Sequence, residues 1–211
     1  MSSMRSAVIA GIILVACTPF LAVTSAPIRL PLAPLDVDED VLPPLDKDHR
    51  VNVNNIAKSI RKGNLSAARK LAADAAKQFE DFYELENLYR QRNKGGLGWS
   101  TRPGPVALQD GLERQMLIMM RGAPANVLLD QEHNLEAAYA FLAMAELTIV
   151  MAPKKNMGRK TIALWNSQSQ ALRDSANELR QAFAVNDARG VKQAATKMND
   201  ACARCHDVFR D

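Results

Sequence analysis

Apolar residues recur at spacings of three and four along most of the chain from residue 49 onward, a pattern typical of helices with one buried face. Gly, Pro and Asn residues interrupt the pattern and divide it into segments. The predicted helices are, in chain order, His49–Lys62, Leu65 to about Arg92, Asp110 to about Arg121, about Asp130–Ala152, Met157 to about Ala184, and Ala188 to the end of the sequence.

Composition agrees with an all-helical domain. Hydrophobic residues make up 47% of the chain and aromatic residues only 5%. Alanine and leucine, which favour helix, are abundant, and β-branched residues are few in the long segments. The short connections at 153–156 and 185–187 make the last three long helices antiparallel neighbours. The stretch 93–109 is rich in Gly and Pro and is predicted to be a long loop.

The first residues of the chain are typical of an export signal. Arg5 precedes an apolar run at 7–16, as in the n-region and h-region of a signal peptide. Two endings compete. Residues 14–17 resemble a bacterial lipobox, in which Cys17 receives lipid; alternatively, ordinary cleavage falls between 25 and 26. An uncleaved anchor over 7–23 is a third interpretation, although its length is marginal for a full span. Each interpretation exports the chain.

A Pro-rich acidic linker follows at 27–48. Its prolines favour extended chain and its carboxylates keep it solvated. The predicted organisation is therefore a signal peptide or lipoprotein signal at 1–26, this linker, and one helical domain at 49–211. The linker suits a domain that is tethered to a membrane through its N-terminus, and it also suits any solvated leader.

The helical domain is basic. From Arg50 to Asp211 the chain has 24 Lys and Arg against 17 Asp and Glu, whereas the whole chain has a formal net charge of +4. A basic domain suits acidic protein partners or anionic headgroups, although a mixed charged surface is the plainer interpretation. No nucleic-acid-binding motif occurs. The chain has three cysteines, too few for a disulfide framework.

Cys202, Cys205 and His206 form a C-x-x-C-H motif near the end of the sequence. This spacing is that of covalent haem attachment, with two thioether bonds and an adjacent axial imidazole. Both cysteines fall on the apolar stripe of the last predicted helix. A thiol–disulfide site and a zinc site are the alternatives. A zinc site needs further ligands, and only His49 and His133 remain as histidines.

The ending C-x-x-C-H-x-x-F-R resembles the class II c-type cytochromes, the cytochrome c-prime family. The resemblance implies an antiparallel four-helix bundle with one haem c held by the last helix. It implies that Cys202 and Cys205 form the thioethers and that His206 is the axial ligand of the iron. Arg210 matches the basic residue of the family ending and is expected on the proximal side. Family members receive their haem outside the bacterial cytoplasm, so a periplasmic location is expected.

In this family the first helix lines the haem face opposite the axial histidine. The candidates for that distal face are Phe82, Leu85 and Tyr89. The segment from Arg50 to Ile118 contains one Met and no His, so a five-coordinate resting iron in an apolar pocket is expected. A sixth ligand could come instead from a later segment, and the candidates are Met116, Met119, Met120 and His133.

These features lead to three hypotheses. The first is an exported monohaem cytochrome that carries single electrons between redox protein partners. The second is a five-coordinate haem protein that binds nitric oxide or carbon monoxide. The third is a haem-free helical interaction module with a thiol pair. An enzyme is not expected, because no acid–base or nucleophile constellation occurs. Trp99 and Arg102 in the long loop could cover a haem edge or contact a partner, and dimerisation is common in relatives.

Overall fold

The computed structural model describes residues 42–101 and 110–210. The predicted signal segment, Cys17, most of the linker and Arg102 lie outside the described residues. Within the two described ranges the chain forms helices and has no β-strand. The predicted all-α class is therefore confirmed. None of the described helices is both long enough and apolar enough to span a membrane.

The described residues form eight α-helices, which are α1 His49–Arg61, α2 Leu65–Ala75, α3 Phe82–Asn87, α4 Leu112–Arg121, α5 Ala125–Leu128, α6 Gln131–Val150, α7 Ile162–Ala184 and α8 Ala188–Phe209. In the C-terminal half their bounds agree closely with the predicted ones. Side chains that accept a bond from a first-turn N–H cap several of them and fix where they begin. These caps are Asp48 for α1, Asn64 for α2, Asp81 for α3, Asp130 for α6, Thr161 for α7 and Asp187 for α8.

The single long helix predicted from Leu65 to Arg92 is wrong, because the chain breaks at Phe79. Phe79 has extended backbone (ψ 130°), and its ring stacks on His49 with centroids 4.1 Å apart. Asp81 then starts α3, since its side chain accepts a bond of 3.0 Å from the Glu84 N–H. Asp side chains compete with helix interiors in this way.

The helices α6 and α7 are antiparallel neighbours, as predicted. At one end of the pair, Gln131 at the start of α6 donates a bond of 2.8 Å to the carbonyl of Ala184 at the end of α7. At the other end, the Trp165 indole N–H donates a bond of 2.7 Å to the Thr148 carbonyl. Thr148 lies in the last turn of α6, where carbonyls have no partner within the helix. The indole N–H therefore supplies the hydrogen-bond partner that the Thr148 carbonyl lacks within its own helix.

The helices α7 and α8 are also antiparallel. Lys197 pairs with Glu178 at 2.7 Å, and the rings of Trp165 and Phe209 meet edge-on with centroids 4.9 Å apart. Asn186 between them adopts a left-handed conformation, with φ of 54°, which Asn tolerates better than most residues. This tight connection places the C-terminal end of α8 beside the start of α7.

The helix α6 is buried on most of its surface because α1, α2 and α7 all pack against it. It carries a buried carboxylate, Glu146, which is 3% exposed. Two arginines from different helices pair with Glu146: Arg173 at 2.9 Å and Arg69 at 3.6 Å. A buried charge needs such partners, because burial without them is very costly. The helices α1 and α2 thus pack against α6, whereas α4 packs against α8.

Trp99 is part of the core and not a cover for an exposed haem edge, so that prediction is wrong. It is 3% exposed, and its ring meets Phe141 and Phe183 edge-on with centroids 6.1 Å away. Its indole N–H donates a bond of 3.0 Å to Asn134. Asp110, the predicted first residue of the next helix, lies outside that helix and pairs with Arg92 at 2.6 Å. These bonds fasten part of the long loop to the bundle.

Candidate functional site

The three residues of the C-x-x-C-H motif lie on the last two turns of α8. Residues three and four positions apart share a helix face, so Cys202, Cys205 and His206 point to the same side. Both cysteines are free thiols; Cys205 is buried and Cys202 is partly buried. Phe209 anchors this end of the helix against Trp165. The local structure therefore presents two thiols and one imidazole together.

All three motif residues line one cavity of about 300 Å³ between α8 and the neighbouring helices. The apolar part of its wall comes from α3, α4 and α7. The lining residues used below are, besides the motif, Phe82, Glu86, Tyr89, Arg90, Glu113, Met116, Leu117, Leu172 and Arg210.

The predicted distal residues are only partly brought together. Phe82 and Tyr89 line the cavity, and the ring of Phe82 meets Trp165 edge-on with centroids 4.8 Å apart. Leu85 is fully buried in the core and is not among the lining residues. Tyr89 lies two residues beyond the end of α3, so helical spacing from Phe82 and Leu85 does not determine which side it faces.

The four candidate sixth ligands are dispersed. Met116 lines the cavity, whereas Met119 and Met120 are absent from its lining. Met119 is fully buried in the core. His133 is buried as well, and its Nδ1 lies 2.8 Å from the hydroxyl oxygen of Ser100. Met116 is therefore the member of this group with access to the cavity.

Glu86 is a site residue that the sequence reasoning missed. Its Oε1 lies 3.1 Å from His206 Nε2, and its Oε2 lies 3.8 Å from Arg210 Nε. The Glu86 side chain is 14% exposed. Arg210 itself lines the cavity, and it shares the Glu86 carboxylate with the imidazole of His206. Glu86 lies four residues after Phe82 and three before Tyr89, and this acidic position between aromatic ones was the available signal.

Burial strongly affects the two thiols. It raises the pKa of Cys202 to about 12, with smaller contributions from the negative charges of Cys205, Glu113 and Glu86. Burial also raises the pKa of Cys205 to about 11, and Glu86 adds to it. Reactive thiol pairs have lowered pKa values and partial exposure. These thiols therefore stay protonated at neutral pH, which disfavours the thiol–disulfide alternative.

The wall of the cavity is mainly apolar and includes several polar groups. Tyr89 and the carboxylates Glu86 and Glu113 line it together with the apolar residues. The hydroxyl oxygen of Tyr89 is buried and has no hydrogen-bond partner among the described residues. Burial raises the pKa of Tyr89 well above its usual value, and the negative charges of Cys202, Cys205 and Glu86 add to this effect.

The two other histidines lie elsewhere. His49 stacks on Phe79, His133 contacts Ser100, and neither lines the cavity. In the part of the chain that the structure describes, no cluster of three or more His, Cys, Asp or Glu side chains could hold a metal ion. A zinc site built from the motif and these histidines therefore has no support.

The residues present fit a covalently attached haem. Two protonated thiols and one imidazole meet at a cavity with aromatic and aliphatic walls, which is the donor set of c-type attachment. A buried hydroxyl without a partner in the same wall also indicates that the cavity receives a polar group, because such orphans are rare in folded proteins. Cys202, Cys205 and His206 would hold the haem.

Comparison with known proteins gives one finding. Residues 160–210 match the model of the family described as Cytochrome C'. No curated protein and no solved structure matches the chain. The matched range covers α7, α8 and the whole C-x-x-C-H motif. This segment of the chain is therefore similar to the Cytochrome C' family, which supports the resemblance to the class II c-type cytochromes.

Proposed function

We propose that this chain is a monohaem c-type cytochrome that carries single electrons outside the cytoplasm through covalently bound haem. The observation that carries the proposal is the single cavity lined by Cys202, Cys205 and His206. When bound, the haem supplies an iron that accepts and returns one electron. One haem per chain is proposed because the sequence contains one C-x-x-C-H motif.

Each residue of the motif has a separate role in this proposal. Cys202 and Cys205 provide the two thioether bonds, and His206 provides the axial nitrogen. Glu86 contacts Nε2 of His206 at 3.1 Å, and this contact would be lost if His206 held the haem iron through that nitrogen. Arg210 then remains as the nearby cation for the Glu86 carboxylate, from which it is already 3.8 Å away.

The surroundings support electron carriage. Burial and nearby polar groups set the reduction potential of a haem. The cavity is partly enclosed and has both apolar and polar groups in its wall. An adjoining cavity of about 420 Å³ shares Tyr89, Arg90, Glu113 and Leu117 with the first and is also lined by Lys94 and Arg114. Arg90, Lys94 and Arg114 are exposed. Basic residues beside a haem favour an acidic redox protein as partner.

A second function is the binding of nitric oxide or carbon monoxide at a five-coordinate iron. It is favoured because most of the candidate sixth ligands lie away from the cavity. Met119 is in the core and His133 is held by Ser100, so only Met116 of those four lines the cavity. If Met116 does not bind the iron, the sixth position is open to small neutral molecules.

The N-terminal segments complete the proposal. Members of the cytochrome c-prime family are typically exported, and the apolar run at 7–16 supports export of this chain to the periplasm. Lipid on Cys17 would anchor the domain, and the linker at 27–48 would then act as a tether. We propose no enzymatic activity and no nucleic-acid partner; a homodimer is the remaining proposal for assembly.

The ferrous absorption spectrum of the haem-matured full chain tests the proposal. A sharp α-band that carbon monoxide does not move would indicate a sixth protein ligand. A broad high-spin spectrum that sharpens with carbon monoxide would indicate an open iron, and gas binding would move to first place. An electron carrier is also expected to be reduced and reoxidised reversibly by one electron, as followed by its absorption spectrum. A chain without a Soret band, or one that cannot be cycled, would contradict the electron-carrier function.

A further inference from the structure

The connection between α6 and α7, residues 151–161, carries a concentrated positive charge. Its cations are Lys154, Lys155, Arg159 and Lys160. From 147 to 172 the sequence contains no Asp or Glu, and Lys154, Lys155 and Arg159 are exposed to solvent. A group of like charges with no acidic residue near it in sequence creates a positive potential that attracts an anionic surface.

The connection forms a turn that presents an apolar side chain. The backbone N–H groups of Met157 and Lys160 each donate to the other residue's carbonyl at 2.9 Å. Gly158 between them has φ of 57°, a left-handed conformation that favours glycine. The Asn156 side chain accepts a bond of 2.8 Å from the Ile162 N–H. The turn therefore holds Met157, which is 52% exposed, among the cations.

This combination of groups suits a membrane interface. Val150, in the last turn of α6, is also exposed, at 40%. At an anionic bilayer, Lys and Arg side chains approach the lipid phosphates, and apolar side chains beside them enter the headgroup layer. A lipid surface therefore matches both the charge and the exposed apolar side chains of the connection.

The described chain enters the bundle at the same end. Residues 42–48 lead into α1, whose last residue, Arg61, pairs with Glu132 in the first turn of α6 at 2.7 Å. Since α1 packs against α6, the two helices run antiparallel, and His49 at the start of α1 lies toward the end of α6. The connection begins at that end of α6.

Aromatic contacts link the start of α1 to the start of α7 as well. His49 stacks on Phe79 with centroids 4.1 Å apart. Phe82, three residues later, meets Trp165 in the first turn of α7 with centroids 4.8 Å apart. A tether at the start of α1 would therefore hold the connection nearer to the membrane than the opposite end of the bundle, which is about 35 Å away for a helix of 23 residues.

We infer that the connection docks the domain on an anionic lipid surface, with its exposed cations against the lipid phosphates and Met157 in the headgroup layer. None of its residues lines the motif cavity, so the inference goes beyond the proposed electron transfer and uses only the proposed export of the chain. Each cation near such a surface strengthens binding about fivefold. Removal of three cations is therefore expected to weaken docking about a hundredfold.

The test measures amide hydrogen exchange of residues 151–161 in the haem-matured full chain. The chain is mixed with vesicles of phosphatidylcholine alone or of phosphatidylcholine with phosphatidylglycerol, and exchange is followed by mass spectrometry. When about nine-tenths of the chains are docked, exchange in the connection is expected to slow about tenfold, because its amides exchange in the undocked fraction. We expect this effect only with phosphatidylglycerol. The N-terminal segments meet both kinds of vesicle, so the difference between the two isolates the effect of charge.

Two variants with the same loss of charge locate the docking surface. The first removes the exposed cations of the connection, as Lys154→Gln/Lys155→Gln/Arg159→Gln. The second removes three exposed cations from the opposite end of the bundle, as Lys62→Gln/Arg189→Gln/Lys192→Gln. We expect the first variant to lose the protection and the second to keep it. Loss of protection in both would overturn the inference, because net charge and not this connection would then decide binding.

The wild type alone is also decisive. Exchange that phosphatidylglycerol leaves unchanged, or that both kinds of vesicle slow equally, would overturn the inference without requiring a variant to fold. Exchange that soluble polyglutamate slows and vesicles do not would overturn it as well, since the connection would then suit an acidic protein. A chain without haem that still shows the protection would remove the proposed haem function and leave this inference in place.

Discussion

Trp165 joins the site to the bundle, and its replacement has effects of predictable size. The side chain is 4% exposed. Its ring meets Phe82 of α3 and Phe209 of α8 edge-on, with centroids 4.8 and 4.9 Å away. Its N–H satisfies the Thr148 carbonyl at 2.7 Å. One indole therefore holds three helices around the cavity.

Two substitutions separate these contributions. Trp165→Phe keeps an aromatic ring and leaves the Thr148 carbonyl buried without its partner, which costs about 1–3 kcal/mol. Trp165→Ala also removes the packing and both aromatic contacts. Removal of a buried large aromatic costs about 3–5 kcal/mol, and we expect Trp165→Ala to lie at or above the upper end of this range.

Urea unfolding followed by circular dichroism of the haem-matured chain gives these free energies, and an unchanged m-value shows that the substitution changed stability without changing the surface exposed on unfolding. The control is Trp99→Phe, since Trp99 is also buried and bonded. The ring of Trp99 meets Phe141 and Phe183, which do not line the motif cavity, whereas the ring of Trp165 meets Phe82, which does. We expect both Phe variants to lose stability and only Trp165→Phe to alter the haem spectrum. A loss below about 0.5 kcal/mol in Trp165→Phe, the range of ordinary surface substitutions, would refute the reasoning.

Two further predictions concern the same cavity. Met116→Leu is expected to leave the ferrous spectrum and carbon monoxide binding unchanged, because the resting iron is expected to be five-coordinate and Met116 is then not a ligand. A change from a low-spin to a high-spin spectrum would show that Met116 is a ligand. In the haem-free chain, Cys202 and Cys205 have raised folded-state pKa values of about 12 and about 11, so at pH 8 only about one Cys202 in ten thousand is a thiolate. The unfolded chain then loses its thiol protons first, so the stabilising contribution is complete below about pH 8.5 and is lost as the pH rises towards 11–12. Alkylation rates and urea midpoints between pH 7 and 11 measure this, and rapid alkylation of the folded chain at pH 7 would contradict it.

The C-terminal half was predictable because its information is local. The stripes of α6, α7 and α8 repeat without interruption, and Asp130, Thr161 and Asp187 cap these helices within their own sequence. The motif chemistry is equally local, since Cys202 and Cys205 are three residues apart. Periodicity therefore indicated both the helices and the face that carries the site.

The N-terminal half depends on contacts between distant residues. Phe79 leaves the helical conformation and stacks on His49, thirty positions earlier, and no spacing rule indicates that pair. Trp99 is buried through Asn134 of α6, although its Gly-rich surroundings are typical of surface loops. Tertiary packing overrode local propensity at both positions.

The site was predictable only where one helix forms it. Cys202, Cys205 and His206 follow from the motif, whereas Glu86 reaches His206 from α3. Sequence distance gives no sign of this contact. A carboxylate between the aromatic positions 82 and 89 was the one local signal, and its importance depends on how α3 faces α8.

The central claim is that Cys202 and Cys205 bind one haem covalently. The most direct measurement is the intact mass of the full chain, matured with the haem-attachment machinery and extracted with acidified acetone. The account predicts a mass increase of one haem that survives extraction in the wild type and is absent in the Cys202→Ala/Cys205→Ala double variant. A wild-type chain at its bare polypeptide mass, or haem that extraction removes, would contradict it.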